Sequence, residues 1–341
     1  MTKVRISDIA REAGVSPATV SRYLNDKPGA MTPETRARIA EVIERTGYRP
    51  NSAARSLRTD RTHQIGVVLA DISNPFSSSI LGHLSKQAAA DGYTLMCAIS
   101  GSDSEEEAHD ISLLAEAGVD GLVINTCGGC DETIIETNEH LPVVLLDRDV
   151  EGAELDLVTS DNATLVTGLV DELTKGGCTT CWLVTEESDT SSIRRERARL
   201  FEEELAARGL DGGIFALNED TVNATEQLRE IVSAKTDETS LGFVAVNGLV
   251  FLRLVEALSA TDFVVPDRIR VATFDEYPWN RLLFGGVTTA AQDTEAMAKA
   301  VLERLYARID QDLDHEADAE PLEPLRLELP GTIIARASTN Q

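Results

Sequence analysis

The sequence predicts a small all-α segment at the amino terminus, followed by an α/β body built on doubly wound parallel sheets. Helical periodicity and a net charge of +5 mark residues 1–62, whereas the remainder carries a net charge of −32. Beyond residue 63, short β-rich apolar runs alternate with amphipathic stretches, which is typical of parallel sheets covered by helices on both faces. A length of 341 residues agrees with two or three domains.

The distribution of charge is more informative than its sum. A net charge of −27 and a pI near 4.5 argue against nucleic acid as a partner if the charge is evenly spread. However, residues 1–62 hold twelve basic and seven acidic residues, and 19 basic and 51 acidic residues follow. Such asymmetry suggests a nucleic-acid-binding module, with a solvated basic face as the alternative. The chain has no apolar run of ~18 residues and no signal-peptide pattern, so a cytoplasmic protein is expected.

Two short helices joined by a glycine turn are predicted near the amino terminus. Apolar residues recur at spacings of three and four at Ile6, Ile9, Ala10 and Ala13, which predicts the first helix over residues 8–13. Gly14 can adopt the positive φ of a helix end, and Ser16 and Pro17 suit the cap and first turn of a second helix. A third helix is predicted over residues 32–46. Two short helices with a tight turn make a helix-turn-helix.

Residues 4–62 carry a more specific resemblance. The segments IxDIAREAGVSxATVSRYLN and TPETRARIxxVIxxxGYRPNxxARSLRT closely resemble the LacI/GalR family of bacterial transcription regulators. The resemblance implies a ligand-responsive repressor of carbohydrate-utilisation genes that binds a pseudo-palindromic operator as a homodimer. It implies a helix-turn-helix DNA-binding domain over residues 1–48, a hinge helix and linker over 49–62, and an effector-binding domain over 63–341. We expect no cofactor, no metal and no enzymatic activity.

The resemblance assigns DNA contacts by position. The second helix would enter the major groove, where Arg22 can offer a bidentate fork to guanine. Ser16 would contact phosphate, or it could act only as a helix cap. In the hinge, Ala54 would permit close approach of two helices, and Leu57 would wedge between base steps in the minor groove unless it is an ordinary linker residue. The complete set of expected DNA contacts is Ser16, Pro17, Ala18, Thr19, Ser21, Arg22, Asn25, Asn51, Ala54 and Leu57.

The rest of the chain follows the same family plan, which implies a body of two lobes like a periplasmic sugar-binding protein. The N-lobe is expected over residues 63–160 and 292–321. The C-lobe is expected over residues 161–291 and 322–341. The chain would cross between the lobes near residues 160–161, 290–292 and 321–324.

Polar residues that follow the predicted strands are candidates for effector binding, since ligands of open α/β sheets bind beyond the carboxyl ends of strands. Carboxylates and amides suit hydroxyl groups, and an aromatic ring offers an apolar face. Two converging arginines favour a ligand carboxylate or phosphate, hence a sugar acid. Asp147 could instead be structural. These candidates, which match family effector positions, are Asp71, Phe76, Asp147, Arg148, Arg197, Asn247 and Asp275.

Three further features bear on the ligand. The segments LNDKPGAMTPETR, VVLLDR and FDEYPW give a weaker likeness to the 2-keto-3-deoxygluconate repressor branch of the family. The sequence departs from the family pattern at Gly248, where an aspartate usually follows the asparagine, and at Leu200, where a glycine is usual. Trp279 is a candidate for stacking or for an interface, with packing in the core as the alternative.

Other functions find less support in the sequence. Two CxxC pairs occur, Cys127/Cys130 and Cys178/Cys181, but 47 residues separate them, whereas zinc sites usually have ~15–20. We therefore expect reduced thiols. A periplasmic sugar-binding protein would lack residues 1–62 and carry a signal peptide. A sugar-modifying enzyme of the same body fold would need a nucleotide loop or an acid–base pair, and neither pattern is visible.

Overall fold

The computed structural model describes residues 4–24, 31–48, 61–186, 191–234, 240–313 and 322–340. The chain divides into two units, Met1–Thr62 and His63–Gln341. Within the described ranges, no helix is long and apolar enough to cross a membrane.

The amino-terminal unit contains three helices in its described part, α1 (Ile6–Ala13), α2 (Pro17–Leu24) and α3 (Pro33–Thr46). The α1 helix begins two residues before the predicted start, and the Asp8 carboxylate accepts a hydrogen bond from the Arg5 N–H at 3.0 Å in its first turn. Gly14 ends α1 with a φ of 66°. The three helices share a small core of six buried residues, Ile9, Ala10, Ala13, Val20, Ile39 and Val42.

Strands and helices alternate through the second unit, as the apolar runs predict. Its elements are β1 Gln64–Leu69, α4 Pro75–Ala90, β2 Thr94–Ile99, α5 Ser104–Glu116, β3 Gly121–Asn125, α6 Asp131–Asn138, β4 Val143–Leu146, β5 Asp156–Ser160, α7 Asn162–Lys175, β6 Thr180–Glu186, α8 Ser192–Arg208, β7 Asp211–Leu217, α9 Thr221–Ser233, β8 Leu241–Ala245, α10 Gly248–Ser259, β9 Ile269–Phe274, a 3₁₀ turn Pro278–Arg281, β10 Thr288–Ala291, α11 Thr294–Leu313, β11 Arg326–Leu329 and β12 Thr332–Ile334.

One sheet defines the N-lobe. Its strands lie in the order β11, β5, β4, β3, β1, β2 and all pair in parallel. Successive residues point to opposite faces, so Val67 packs beneath α4 and α11, while Val68 packs beneath α5 and α6. Because both faces are covered, the inner strands β1, β3 and β4 are mostly apolar in sequence.

A second sheet defines the C-lobe, with the order β12, β10, β9, β8, β6, β7. Its pairs are parallel except for β12, which runs antiparallel to β10. The helices α7, α8, α9 and α10 contribute to one buried cluster with these strands, and Phe201, Phe243, Phe251 and Phe274 are its largest fully buried side chains.

The third crossing between the lobes lies later than the sequence predicts. We expected it at residues 321–324, which would place residues 322–329 in the C-lobe. Instead, β11 pairs in parallel with β5 at the edge of the N-lobe sheet, and the chain crosses between Leu329 and Thr332. Leu327 and Leu329 pack against the N-lobe core, which holds this strand in place. The predicted lobe boundary was therefore wrong.

Candidate functional site

The exposed face of α2 is formed by residues to which the sequence assigns DNA contacts. Val20 points into the core of the unit and is fully buried. The outward face is small and polar, as a helix that enters a DNA groove requires. Its exposed residues are Ser16, Pro17, Ala18 and Arg22, and its partly exposed residues are Thr19 and Ser21.

Arg22 differs from its neighbours in having no partner among the described residues. Arg11 donates to the Asp8 carboxylate at 2.9 Å, and Arg45 pairs with Glu12. Within residues 4–24 and 31–48, by contrast, no hydrogen bond or ion pair engages the guanidinium of Arg22. Its donors therefore remain able to bind an external acceptor.

Ser16 acts as the helix cap that the sequence predicts. Its Oγ accepts a hydrogen bond from the Thr19 N–H at 3.1 Å and lies 2.9 Å from the Thr19 hydroxyl. A capping hydroxyl at a helix amino terminus can still donate to phosphate, so the two interpretations are compatible. The other expected DNA contacts, Asn25, Asn51, Ala54 and Leu57, lie outside the described residues.

In the second unit, a buried polar cavity lies between the two lobes, beyond the carboxyl ends of their strands. Six of the seven predicted effector residues meet there, and four others join them. The lining residues are Asn74, Phe76, Asp147, Arg148, Ile193, Arg194, Arg197, Asn247, Asp275 and Gln292. The free volume that they enclose is about 20 Å³, room for one water molecule, whereas small-molecule pockets measure ~300–1,000 Å³. A molecule the size of a monosaccharide would therefore fit only after the lobes or the lining side chains move apart.

Asp71 is the predicted effector residue that does not line this cavity. Its Oδ1 accepts hydrogen bonds from the Ser73 N–H at 2.8 Å and from the Ser73 hydroxyl at 2.6 Å. This arrangement is an Asx turn, which a short carboxylate favours. Asp71 therefore shapes the loop that leads to α4, and its contact with an effector stays a prediction.

Arg197 is held by three hydrogen bonds at the centre of the cavity. Its Nε donates to Asn162 Oδ1 at 2.8 Å, its Nη1 to the Val246 carbonyl at 2.9 Å and its Nη2 to Gln292 Oε1 at 3.2 Å. The guanidinium also lies over the Phe274 ring, 3.8 Å from its centroid. These contacts fix the plane of a fully buried cation, as a group that orients a ligand requires.

Gln292 joins residues from both lobes. Its Nε2 donates to Asp275 Oδ1 at 2.6 Å, and its Oε1 accepts from Arg197 and from the Ser160 hydroxyl at 2.8 Å. Ser160 ends the N-lobe strand β5, whereas Asp275 follows the C-lobe strand β9. From the sequence, Gln292 is expected only as part of a crossing between the lobes, although an amide at such a crossing could itself indicate a polar site.

The cavity lining includes an acceptor, Asp147 Oδ1, and a donor, Asn247 Nδ2, that are buried and lack a hydrogen-bond partner within the described residues. The other end of the Asn247 amide accepts from the Val250 N–H at 2.9 Å and caps α10. Because buried polar atoms are rarely left unpaired, these two mark places where a ligand hydroxyl or a water molecule can bind.

The two aspartates are presented by an unusual backbone conformation. Asp147 has a φ of 65° and Asp275 a φ of 72°, in the left-handed region that L-residues seldom adopt. Hydrogen bonds from other residues stabilise each conformation. The Thr159 hydroxyl donates to the Asp147 carbonyl, and Asn280 Nδ2 donates to the Asp275 carbonyl. Such conformations cluster at ligand-binding sites, where they aim a side chain.

The cysteine pairs lie in different lobes. Cys127 and Cys130 surround the fully buried Glu107, whose carboxylate accepts from the Cys127 N–H at 2.7 Å and from the Cys130 thiol at 2.8 Å. Burial, with the charge of Glu107, raises the pKa of Cys127 to about 12. The second pair, Cys178 and Cys181, is buried at the start of β6. In the described part of the chain, no group of His, Cys, Asp and Glu is arranged to hold a metal ion.

Comparisons with known proteins match both units. Residues 5–51 match the model of bacterial regulatory proteins of the lacI family, and residues 62–321 match that of periplasmic binding proteins and the sugar-binding domain of the LacI family. The chain belongs to the LacI family. It is therefore a DNA-binding transcriptional regulator that couples a helix-turn-helix unit to a two-lobed α/β body.

Relatives of this LacI-family chain match it along almost its whole length. The HTH-type transcriptional regulator KdgR of Bacillus subtilis (strain 168) is 31% identical over 337 residues, which are 98% of this chain and 97% of KdgR. The HTH-type transcriptional regulator PtxS of Pseudomonas plecoglossicida is 33% identical over 339 residues, which are 99% of this chain and 96% of PtxS. The Lac repressor dimer bound to operator and the anti-inducer ONPF has the same fold, with a TM-score of 0.83, 19% identity and full coverage of both chains.

The buried carboxyl of Asp275 makes a testable contribution to the stability of this LacI-family protein. Burial raises its pKa, although Arg197 and Gln292 act in the opposite direction. A raised pKa means that folding favours the protonated form, so this contribution to stability is present at low pH and is lost as pH rises through the folded-state pKa. We expect Asp275→Asn to melt at a temperature a few degrees above that of the wild type at pH 7.5, with the two curves converging near pH 4.

Thermal unfolding between pH 4 and pH 8 checks this prediction. The matched control is Asp262→Asn, which removes an exposed carboxylate from the same lobe, and its melting temperature should follow the wild type throughout. The assigned cause would be contradicted if the melting temperature of Asp275→Asn, relative to that of the wild type, were lower at pH 7.5 than at pH 4.

Proposed function

We propose that this LacI-family regulator is a ligand-responsive repressor of carbohydrate-utilisation genes. In this proposal a homodimer binds a pseudo-palindromic operator in the cytoplasm and takes a sugar or sugar-acid effector, with no catalysis. The observation that carries the proposal is that one chain combines two features. One is a helix whose exposed face carries Arg22, which no described residue engages, and the other is a buried polar cavity at the strand ends of two lobes.

For the DNA-binding part, we propose a domain over residues 1–48, a hinge over 49–62 and an effector domain over 63–341. Arg22 would specify a base through two parallel hydrogen bonds to guanine. Pro17 and Ala18 would add only shape and methyl contacts, since their side chains carry no hydrogen-bonding group. Ser16, Thr19, Ser21 and Asn25 would bind phosphates. Asn51, Ala54 and Leu57 would act in the minor groove.

For the effector, we propose an acidic sugar derivative. Three arginines and two aspartates line the cavity, and Arg194 already pairs with Glu186. A ligand carboxylate would therefore bind chiefly to Arg148 and Arg197. Arg148 also lines an adjoining cavity of about 300 Å³ together with Arg195 and Ser192. Asp147, Asn247 and Asp275 would bind hydroxyl groups, and Phe76 would cover an apolar face of the sugar.

For the homodimer, support comes from the edge of the N-lobe sheet and from the Lac repressor dimer described above. The edge strand β2 exposes apolar side chains, including Ile99 at 44% of its surface. An apolar, unpaired edge invites a second copy to cover it. Two copies would place two recognition helices on adjacent half-sites, which explains a pseudo-palindromic operator.

Coupling between effector and operator would act through contacts that join the lobes. Besides Gln292, the Asp149 N–H donates to the Ser192 hydroxyl at 2.8 Å, and Arg326 of β11 lies 3.7 Å from Glu196 of α8. An effector that widens or closes the cavity must change such contacts, and coupling energies of this kind are ~1–3 kcal/mol.

Selection of bound sequences from random double-stranded DNA tests the proposal, first with the free protein and then with D-gluconate, D-glucuronate, D-galacturonate, D-glucose and D-galactose in turn. We expect one pseudo-palindromic sequence class, whose recovery changes with a sugar acid about five- to 150-fold, the range of a ~1–3 kcal/mol coupling. Recovery of unrelated sequences would contradict sequence-specific regulation. A response to the neutral sugars alone would contradict the acidic effector.

A further inference from the structure

The departure from the family pattern at Gly248 has a local structural cause. A Cβ atom at this position would lie 2.4 Å from Cε2 and 3.1 Å from Cδ2 of the Tyr277 ring. No side chain fits there while the ring keeps its place. The aspartate that usually follows the asparagine is therefore excluded by Tyr277, whose ring begins where that side chain would begin.

The Tyr277 ring, which fills the space beside Gly248, carries a polar group, its hydroxyl. The residue is 9% exposed, and its hydroxyl is fully buried without a hydrogen bond of good geometry to any described residue. Asp275, which lines the effector cavity, is the hydrogen-bonding neighbour of this hydroxyl, and Arg197 and Asp147, which also line the cavity, are close enough to influence its ionisation. Burial raises the pKa of the phenol, so the hydroxyl stays protonated and remains a donor.

We propose that Tyr277 is an effector-specificity residue, and that its buried hydroxyl donates a hydrogen bond to an oxygen of the ligand beside Asp275. At this place the phenol is a neutral donor, whereas a carboxylate would be a negative acceptor. A neutral donor beside Asp275 favours an anionic, oxygen-rich ligand more than a second carboxylate would, which deepens the proposed function and rests on it.

Neighbouring side chains hold the Tyr277 ring and the adjacent backbone in place. Trp279 lies beside it, with ring centroids 4.8 Å apart, and packs against the C-lobe core as the sequence analysis allowed. Asn280, fully buried, donates to the Asp275 carbonyl at 2.9 Å. The segment from Asp275 to Asn280 therefore positions the carboxylate and the phenol as one unit, with an acceptor next to a donor.

The test is Tyr277→Phe, which removes the hydroxyl and keeps the ring. Its matched control is Tyr306→Phe. The Tyr306 hydroxyl is likewise buried without a well-formed hydrogen bond among the described residues, but Tyr306 belongs to α11 and stacks on Tyr93 in the N-lobe. Affinities of the full-length proteins for D-gluconate, D-glucuronate, D-galacturonate, D-glucose and D-galactose are measured by calorimetry, and melting temperatures are measured without sugar.

We expect Tyr277→Phe to weaken binding of the sugar acid that the wild type prefers by about tenfold, as loss of one buried hydrogen bond does, with an unchanged melting temperature. Tyr306→Phe should bind as the wild type does. Equal affinities of Tyr277→Phe and the wild type would overturn the role of Tyr277 and leave the proposed function standing. A wild type that binds none of the five sugars would overturn both.

Discussion

Replacing Arg197 by methionine should weaken effector binding by about 30-fold or more, because truncating one partner of a buried, hydrogen-bonded charge cluster costs ~2–5 kcal/mol. Methionine keeps the apolar contact with Phe274 but none of the three hydrogen bonds to Asn162, Val246 and Gln292. The ligand would lose its central cation, and Gln292 would lose the group that orients its amide. Calorimetric titration with the sugar acid that the wild type binds measures the loss.

A second substitution separates charge from geometry. Arg197→Lys keeps the positive charge, but one ammonium group cannot reach three acceptors held in the plane of a guanidinium. We expect it to bind the effector less well than the wild type and better than Arg197→Met. The matched control is Arg199→Met, which removes an exposed arginine from the same helix, where it pairs with Glu203. If Arg199→Met loses as much affinity as Arg197→Met, the effect comes from overall charge and Arg197 has no special role.

Arg197→Met should also separate the two functions of the chain. The six core residues of the helix-turn-helix lie between Ile9 and Val42, in a different unit from the cavity. We therefore expect the variant to recover the same DNA sequences in selection as the wild type, with no change on addition of the effector. Loss of DNA binding without effector would show instead that Arg197 holds the body in the only conformation that binds DNA.

Much of the fold was predictable because buried parallel strands leave a strong signal in the sequence. The ten strands from β1 to β10 coincide with apolar runs, since helices cover both faces of each sheet over its inner strands. The strand β11 was missed because it lies at an edge, where Arg326 and Glu328 are exposed and only Leu327 and Leu329 face the core. In the sequence, a run of four residues with only two apolar positions cannot be distinguished from a loop.

The cavity was partly predictable for a similar reason. Residues that follow strands converge in any parallel sheet, which correctly brought Asp147, Asn247 and Asp275 together. However, a position after a strand does not determine where the side chain points, and Asp71 binds Ser73 within its own loop. Arg194 was missed among the several arginines of α8, although its spacing of three from Arg197 places both on one helical face.

The second large effect concerns DNA specificity. Arg22→Ala should cost ~1–3 kcal/mol at one base pair of each half-site, which is about five- to 150-fold, while binding to unrelated DNA is nearly unchanged. The reason is the division of roles along α2, where Arg22 is the exposed side chain with a fork of donors. Selection from random DNA with the variant should return the same half-site with that position relaxed.

The control for Arg22→Ala is Arg38→Ala, which removes one exposed positive charge from α3 of the same unit. The comparison matters because the body carries a net charge of −32 and repels DNA, so any loss of charge from residues 1–62 weakens binding in general. A general electrostatic role predicts that both variants lose affinity equally on all sequences and more at low salt. A base contact predicts a loss confined to one position and to Arg22→Ala, because only a directed pair of hydrogen bonds distinguishes guanine from the other bases.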